Sequence, residues 1–266
     1  MKRRMLAFLC AALLFCGLLL PVQAQAPQQE EASAPTVAMI GHKGYSLKYQ
    51  ENTALAFQKA AEVGFSGVET DVRMTKDGVF VLSHDEEIEL EDGTRMRVSR
   101  HTYKELTAQP LKNELDETAV YLCRFEEYLD ICKENDMICF IEIKEYFPIH
   151  KIIELFRLAK QHYDLQKCEF QSFELLVLLV AHIAFPHLRI MLTTNSYNFN
   201  AKVALLLGFD LDMRHENVTA DLVETFHKKG RLVSCFTVND ADEALRCAAC
   251  GVDFIETDVF PVLPTS

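Results

Sequence analysis

Gly67-Val68-Glu69-Thr70-Asp71-Val72-Arg73-Met74-Thr75-Lys76-Asp77-Gly78-Val79-Phe80-Val81-Leu82-Ser83-His84-Asp85 reads as two strands about one turn. Side chains alternate along the first strand, so Val68, Thr70 and Val72 fall on one face and Gly67, Glu69 and Asp71 on the other. Asp77-Gly78 is the signature of a two-residue hairpin, which would pair Lys76 with Val79, Met74 with Val81 and Asp71 with His84. One carboxylate and one imidazole would then share a sheet face, about 5 Å apart at Cβ.

Outward from this stretch, short β-branched runs alternate with amphipathic ones, the pattern of βα units around a parallel sheet. Strands are expected at Val37–Gly41, Gly67–Val72, Ile138–Ile143, Cys168–Gln171, Leu188–Leu192, Phe209–Asp212, Leu232–Phe236 and Asp253–Glu256. Helical patterns fall between them, among them Ala54–Val63, Phe125–Glu134, Ile149–His162, Phe173–Ala184 and Asp221–Lys229. Eight alternations predict an α/β fold, a (β/α)8 TIM barrel over residues 36–266. An open doubly wound sheet is disfavoured, because no Gly-rich phosphate loop follows the first strand. A ninth strand, Val79–Ser83, joined to the second by a tight turn, must run antiparallel as a flap at the barrel mouth. Residues 86–122 are then an insertion between strands two and three, placed over the mouth.

The chain opens with Lys2, Arg3 and Arg4, runs apolar from Met5 to Leu20, and passes Pro21 into Val22-Gln23-Ala24. These are the three parts of a signal peptide, residues 1–24, and the apolar run is shorter than the roughly 20 residues of a spanning helix. Residues 25–35 read as a disordered spacer. Export to the periplasm or the medium is the expectation, with no stable membrane insertion once the leader is removed. Cleavage leaves 266 − 24 = 242 residues, suited to one large domain, with a formal charge of 24 − 39 = −15. Nucleic acid and anionic membranes are poor partners for such a chain. Nine cysteines less Cys10 and Cys16 leave seven, an odd number from which no disulfide framework follows. Cys247-Ala-Ala-Cys250 ends a helical pattern starting near Asp240, which suits helix packing better than redox chemistry.

The alternation that points Glu69 and Asp71 inward also points Phe140, Glu142 and Lys144 inward on the third strand, and Glu256 and Asp258 on the last. Ionised carboxylates converging in one mouth repel and lose hydration, at several kcal/mol per ion, unless a cation joins them. A divalent metal is the simplest such cation, and oxygen-only ligands favour Mg²⁺, Ca²⁺ or Mn²⁺ over Zn²⁺. The alternative is a salt-bridge network in which Lys144 and neighbouring bases neutralise Glu69, Asp71 and Glu142. His42 ends the first strand and His84 the flap, so two imidazoles reach the mouth from different elements. Such a pair beside a metal suits displacement at phosphorus, one deprotonating the attacking oxygen and the other protonating the leaving alkoxide.

Taken together, Gly41-His42-Lys43-Gly44-Tyr45, Glu51-Asn52-Thr53, Glu69-Thr70-Asp71, Thr75-Lys76-Asp77-Gly78, His84-Asp85, Glu142-Ile143-Lys144, Gln171-Ser172-Phe173, Phe236-Thr237-Val238-Asn239 and Gly251-Val252-Asp253 through Thr257-Asp258 resemble the glycerophosphodiester phosphodiesterase family, barrels of the phospholipase-C-like type. The resemblance runs in order from strand one to strand eight. It implies hydrolysis of glycerophosphodiesters to glycerol 3-phosphate and an alcohol, with one divalent cation held by Glu69, Asp71 and Glu142. His42 and His84 would be the acid–base pair, Lys43 and Lys144 phosphate contacts, and Glu51 and Asn52 the support behind the first-strand loop. The nucleophile would be water or the glycerol 2-hydroxyl. Three positions depart from the family pattern: Lys43 for an arginine, which loses bidentate phosphate geometry, Gln50 for a proline, and Phe236 for a tryptophan beside the substrate. Lysophospholipase D or cyclising activity on lysolipids is the competing enzymatic reading, and a weakly catalytic phosphodiester-binding barrel the non-enzymatic one.

Overall fold

The register pairs β1 (Ala38–Gly41) with β2 (Gly67–Met74) on one side and with β11 (Phe254–Thr257) on the other, which closes the sheet. Between them run β6 (Ile138–Ile143), β7 (Cys168–Ser172), β8 (Arg189–Thr194), β9 (Asp210–Arg214) and β10 (Val233–Phe236), every neighbour parallel. The molecule is a computed structural model that describes residues 37–115 and 118–265, so the expected signal peptide and spacer lie outside the described residues. The eight barrel strands form where the periodicity placed them, and the closed sheet excludes the open alternative.

Alternation sorts the strands as expected. Val68, Val72, Ile141, Ile143, Phe170, Leu192, Leu211, Val233 and Ile255 pack outward in one apolar cluster with the helices, while Ile40, Phe140, Met191 and Phe254 form a separate cluster inside the barrel. The surrounding helices are α1 (Ala54–Val63), α3 (Phe125–Glu134), α4 (Ile149–His162), α5 (Leu175–Ala184), α6 (Phe199–Leu207), α7 (Ala220–His227) and α8 (Ala241–Ala249). Their ends are written in the sequence. Thr53, Asn198, Thr219 and Asp240 each accept a hydrogen bond from an amide of the first turn, and Gly64 and Gly208 close α1 and α6 in the left-handed conformation. Tyr128 on α3 donates from its buried hydroxyl to the carbonyls of Val68 and Phe140, fastening that helix across β2 and β6. Burying an aromatic such as Phe170 contributes about 2–3 kcal/mol.

The flap differs from expectation by one residue. β3 (Phe80–Leu82) does run antiparallel to β2, but Val72 faces Leu82, Arg73 faces Val81 and Met74 faces Phe80. The loop is three residues long: the Thr75 amide bonds the Val79 carbonyl, Gly78 takes φ 82°, and the Thr75 hydroxyl accepts from the Val79 amide while donating to Asp77. A turn closed by a left-handed glycine is the three-residue hairpin, whereas a two-residue loop needs positive φ at both central positions. Ser83, not His84, therefore lies opposite Asp71, its amide bonded to the Asp71 carbonyl.

Residues 86–115 and 118–122 form a packed annex with the hairpin β4 (Glu87–Glu89) and β5 (Arg95–Arg97) and the short α2 (Tyr103–Leu106), opened by a Thr102–Glu105 capping box. Its own apolar cluster gathers Ile88, Leu90, Val98, Leu106, Leu111, Val120 and Leu122 around Val81 of the flap. Cys247 ends up buried within α8 and Cys250 caps it, and all seven described cysteines are free thiols. Among the described residues no helix is long and apolar enough to cross a membrane.

Candidate active site

Glu69, Asp71 and Glu142 come together as read from the alternation: Asp71 and Glu142 are register partners on β2 and β6, and Glu69 lies one inward step below Asp71. An oxygen of each lies within 4.8 Å of the others, and all three are buried. Burial drives Glu69 well above the ordinary carboxylate range, with the charges of Asp71 and Glu142 adding to it. Burial and the charge of Asp71 likewise raise Glu142. Asp71 goes the other way: burial pushes it up, but Lys144, Lys43, the Asn52 hydrogen bond and His84 together bring it below its ordinary value.

Two cations face this cluster. Lys144 Nζ lies 3.1 Å from Glu142 and 3.4 Å from Asp71. Lys43 Nζ is held by Glu51 at 3.0 Å, while the Lys43 amide donates to Glu69 at 2.9 Å. Lys43 sits at φ 59° and Asn52 at φ 56°, conformations a side chain adopts only under tertiary constraint. Asn52 shows what the constraint provides. Its amide donates to Asp71 Oδ2 at 2.8 Å, and its Oδ1 accepts from the Thr70 hydroxyl and the Asp71 amide. Glu51 thus contacts the cluster through Lys43, and Asn52 through Asp71. With three carboxylates against two ammonium groups, two of the acids raised and every donor an oxygen, the cluster suits a divalent cation held by Glu69, Asp71 and Glu142.

Both histidines reach this mouth, each with Nδ1 on an aspartate. His42 meets Asp258 at 2.8 Å and His84 meets Asp85 at 2.9 Å. An aspartate on Nδ1 fixes the proton there and leaves Nε2 for chemistry. Asp258 is itself held by Ser46 and Asn239, and although burial pushes it up, the His42 contact and those two donors bring it down to about 2. His84 is fixed through its backbone, because the Arg73 guanidinium bonds the carbonyls of Ser83 and His84 and pairs with Glu145. His84, Glu51 and Asn52 line a cavity of about 790 Å³ that extends along the annex to Arg95, Arg97 and Lys112. On the far side Phe236 meets Phe173 edge-on, with ring centroids 5.9 Å apart.

Arg73 has no role in the sequence reading, and Asp258 is present there only as an inward acid of the last strand, not as the partner of His42. Arg73 is the next inward position after Glu69 and Asp71. Asp258 follows the β1–β11 register, in which Gly41 faces Thr257, directly to His42.

A parallel eight-stranded barrel with acids and imidazoles gathered at the carboxyl ends of its strands has the architecture of a barrel enzyme, whose chemistry sits at that face. Residues 42–261 match the model of the glycerophosphoryl diester phosphodiesterase family. The chain belongs to that family, and so to the phosphoric diester hydrolases. It is 28% identical over 232 residues to a glycerophosphodiester phosphodiesterase of Bacillus altitudinis, spanning 84% of this chain and 94% of that one. The crystal structure of the Thermotoga maritima glycerophosphodiester phosphodiesterase superimposes with a TM-score of 0.63 at 27% identity, covering 84% and 94% of the two chains. An Oleispira antarctica phosphodiesterase in complex with the product sn-glycerol-3-phosphate shares the fold with a TM-score of 0.74 at 20% identity, over 84% and 93%.

Proposed function

We propose that the chain hydrolyses glycerophosphodiesters to glycerol 3-phosphate and an alcohol, using a divalent cation and the pair His42 and His84. The observation that carries the reading is the convergence of three carboxylates and two aspartate-bound imidazoles on one mouth. Glu69, Asp71 and Glu142 would hold the cation, Mg²⁺, Ca²⁺ or Mn²⁺ by its ligands, which when bound offsets phosphate charge. Lys144, and Lys43 once it releases Glu51, complete the positive wall against which the phosphodiester settles. His42, with Nδ1 committed to Asp258, takes the proton of the attacking oxygen at Nε2. His84 borders the annex cavity, where the leaving alcohol extends, and gives that alkoxide its proton. The leader supports a reaction outside the cytoplasm, on headgroup esters left when phospholipids lose their acyl chains.

The test is release of glycerol 3-phosphate from glycerophosphocholine and glycerophosphoethanolamine, with and without chelator. Chelation, His42→Ala and His84→Ala should each lower turnover by about 10²–10⁴-fold. Turnover indifferent to chelator and to His42→Ala would overturn the reading.

A second reading, action on lysolipids, is favoured by one surface. Tyr146, Ile149, Phe173, Leu176, Tyr197 and Phe199 are exposed where the chain enters α4, α5 and α6, along one half of the mouth, opposite the polar annex. Aromatic and aliphatic groups in that position suit an acyl chain. Comparing turnover of lysophosphatidylcholine with that of glycerophosphocholine separates the two.

A further inference from the structure

Followed around the barrel at constant height, the register sorts inward residues into layers of four drawn from alternate strands. Ile40, Phe140, Met191 and Ser234 make one such layer. Directly above it the other four strands contribute Glu69, Gln171, Asp212 and Glu256, at 1%, 1%, 1% and 2% exposure. His42, Glu142, Thr193 and Phe236 follow at the mouth. Barrel layers are ordinarily filled by Val, Ile and Leu. This one is three carboxyl groups and an amide.

Its hydrogen bonding is incomplete. Gln171 Nε2 and the Ser234 hydroxyl both donate to the same oxygen, Glu256 Oε1, each at 3.5 Å. No well-formed hydrogen bond reaches Gln171 Oε1, Thr193 Oγ1 or either oxygen of Asp212, although the hydroxyls of Ser234 and Thr193 lie close enough to Asp212 to pull its pKa down against burial. A buried acceptor left without a donor is a cost to the fold. Among the described residues no ion pair joins a cation to them: Lys43 and Lys144 pair with Glu51, Glu142 and Asp71 above, and Arg189 pairs with Glu169 and Asp210 below. A proton on Asp212 would supply one donor and leave its second oxygen and at least one other acceptor bare.

We propose that Asp212, Glu256 and Gln171 of this layer, with Thr193 from the layer above, form a second cation site inside the barrel, separate from the mouth cluster that takes Glu69. Asp212 and Glu256 supply its carboxylate oxygens, and Gln171 Oε1 and Thr193 Oγ1 its neutral ones. An all-oxygen set with two carboxylates takes a hard divalent ion, Ca²⁺ or Mg²⁺. One positive charge there would offer these acceptors a common partner. It also relieves the two buried acids, which burial drives far above the ordinary range, Asp212 further under the charge of Glu142 and Glu256 under that of Asp212. None of these four ligands belongs to the mouth cluster, so the site stands whatever substrate that cluster serves.

The experiment counts bound ions. The full-length protein is unfolded in chelator and refolded with Ca²⁺ or Mg²⁺ alone, because the layer is sealed, and metal per chain is then measured by elemental analysis. The wild type should hold two ions, and Asp212→Asn and Glu142→Gln one each. One ion in the wild type, or a count in Asp212→Asn equal to that of the wild type, overturns the site and leaves the layer to protons and water. Should Asp212→Asn not refold, Thr193→Val removes a neutral ligand without changing charge. Stepwise titration should then show one ion bound about tenfold more weakly, and two unchanged binding steps would overturn the proposal.

Discussion

His42 Nδ1 and Asp258 Oδ1 meet at 2.8 Å across 216 positions of sequence, joining the ends of the first and last barrel strands. The contact exists because β1 and β11 are register neighbours, so the barrel's closure and the orientation of the imidazole are one event. Asp258→Asn keeps the shape but can present an amide N–H to Nδ1, favouring the wrong tautomer. We expect kcat to fall about 10–100-fold with KM little changed, and the acid limb of the pH–rate profile to move. Asp258→Glu should recover part of the loss. A profile identical to wild type would show that Asp258 is structural only.

The same aspartate has a stability signature. Its carboxyl is brought to about 2 when folded, below the ordinary 3.8. A lowered folded pKa stabilises above the unfolded value, and that stabilisation is lost as pH falls through the folded one. Asp258→Asn should therefore cost about 2 kcal/mol above pH ~4 and progressively less toward pH ~2, as read from denaturant melts.

Glu169 gives the opposite sign. Burial raises its carboxyl to about 8, against the pull of Arg189 at 2.5 Å and with Asp210 adding to the rise. A raised folded pKa means that stability is fully present below the unfolded value of about 4.3 and lost as pH climbs through about 8. Glu169→Gln removes that titration. The variant should gain on the wild type by about 1–3 kcal/mol between roughly pH 5 and pH 9 in urea melts, and a constant difference would refute the assignment.

Glu142→Gln keeps the volume of the mouth cluster and removes one charge. Half-maximal activity should then require at least about tenfold more divalent metal, measured by titrating metal into chelated enzyme. An unchanged requirement would take Glu142 out of the ligand set.

Gly67 starts β2 where the backbone of β6 passes closest. A Cβ there would lie 2.4 Å from the Ile138 carbonyl oxygen and 2.8 Å from Ile138 Cβ, neither of which can yield without moving a barrel strand. Gly67→Ala should cost about 3 kcal/mol by chemical denaturation. A loss under about 1 kcal/mol would mean that the strand shifts freely.

Periodicity alone located all eight barrel strands and the inward acids of the second, third and last, because a strand's two faces are fixed by alternation and each face here meets a different surround; Glu169, Asp210 and Asp212 on the strands between were not read. The flap register was not legible. Asp-Gly is compatible with both loop lengths, and the Thr75 hydroxyl that selects the longer one acts through hydrogen bonds to Asp77 and Val79 that no local pattern announces. His42 and His84 were visible as residue types, whereas their partners needed the third dimension. Asp258 arrives through barrel closure, and Arg73 through a flap whose register had slipped. The engagement of Lys43 by Glu51 was likewise hidden, since it depends on Lys43 taking a left-handed backbone.

β2 carries Glu69, Asp71 and Arg73 at successive inward positions, two on the acid cluster and the third clamping the carbonyls around His84. One strand is therefore the ruler of the reaction. The spacing between the carboxylates and the flap histidine is set by the rise of about 3.3 Å per residue along a single backbone, not by how separate elements happen to pack. A displacement of the helices or the annex would leave that interval unaltered. A one-residue insertion or deletion between Glu69 and Arg73 would destroy it at once, turning the clamp to the outer face while leaving the barrel otherwise whole.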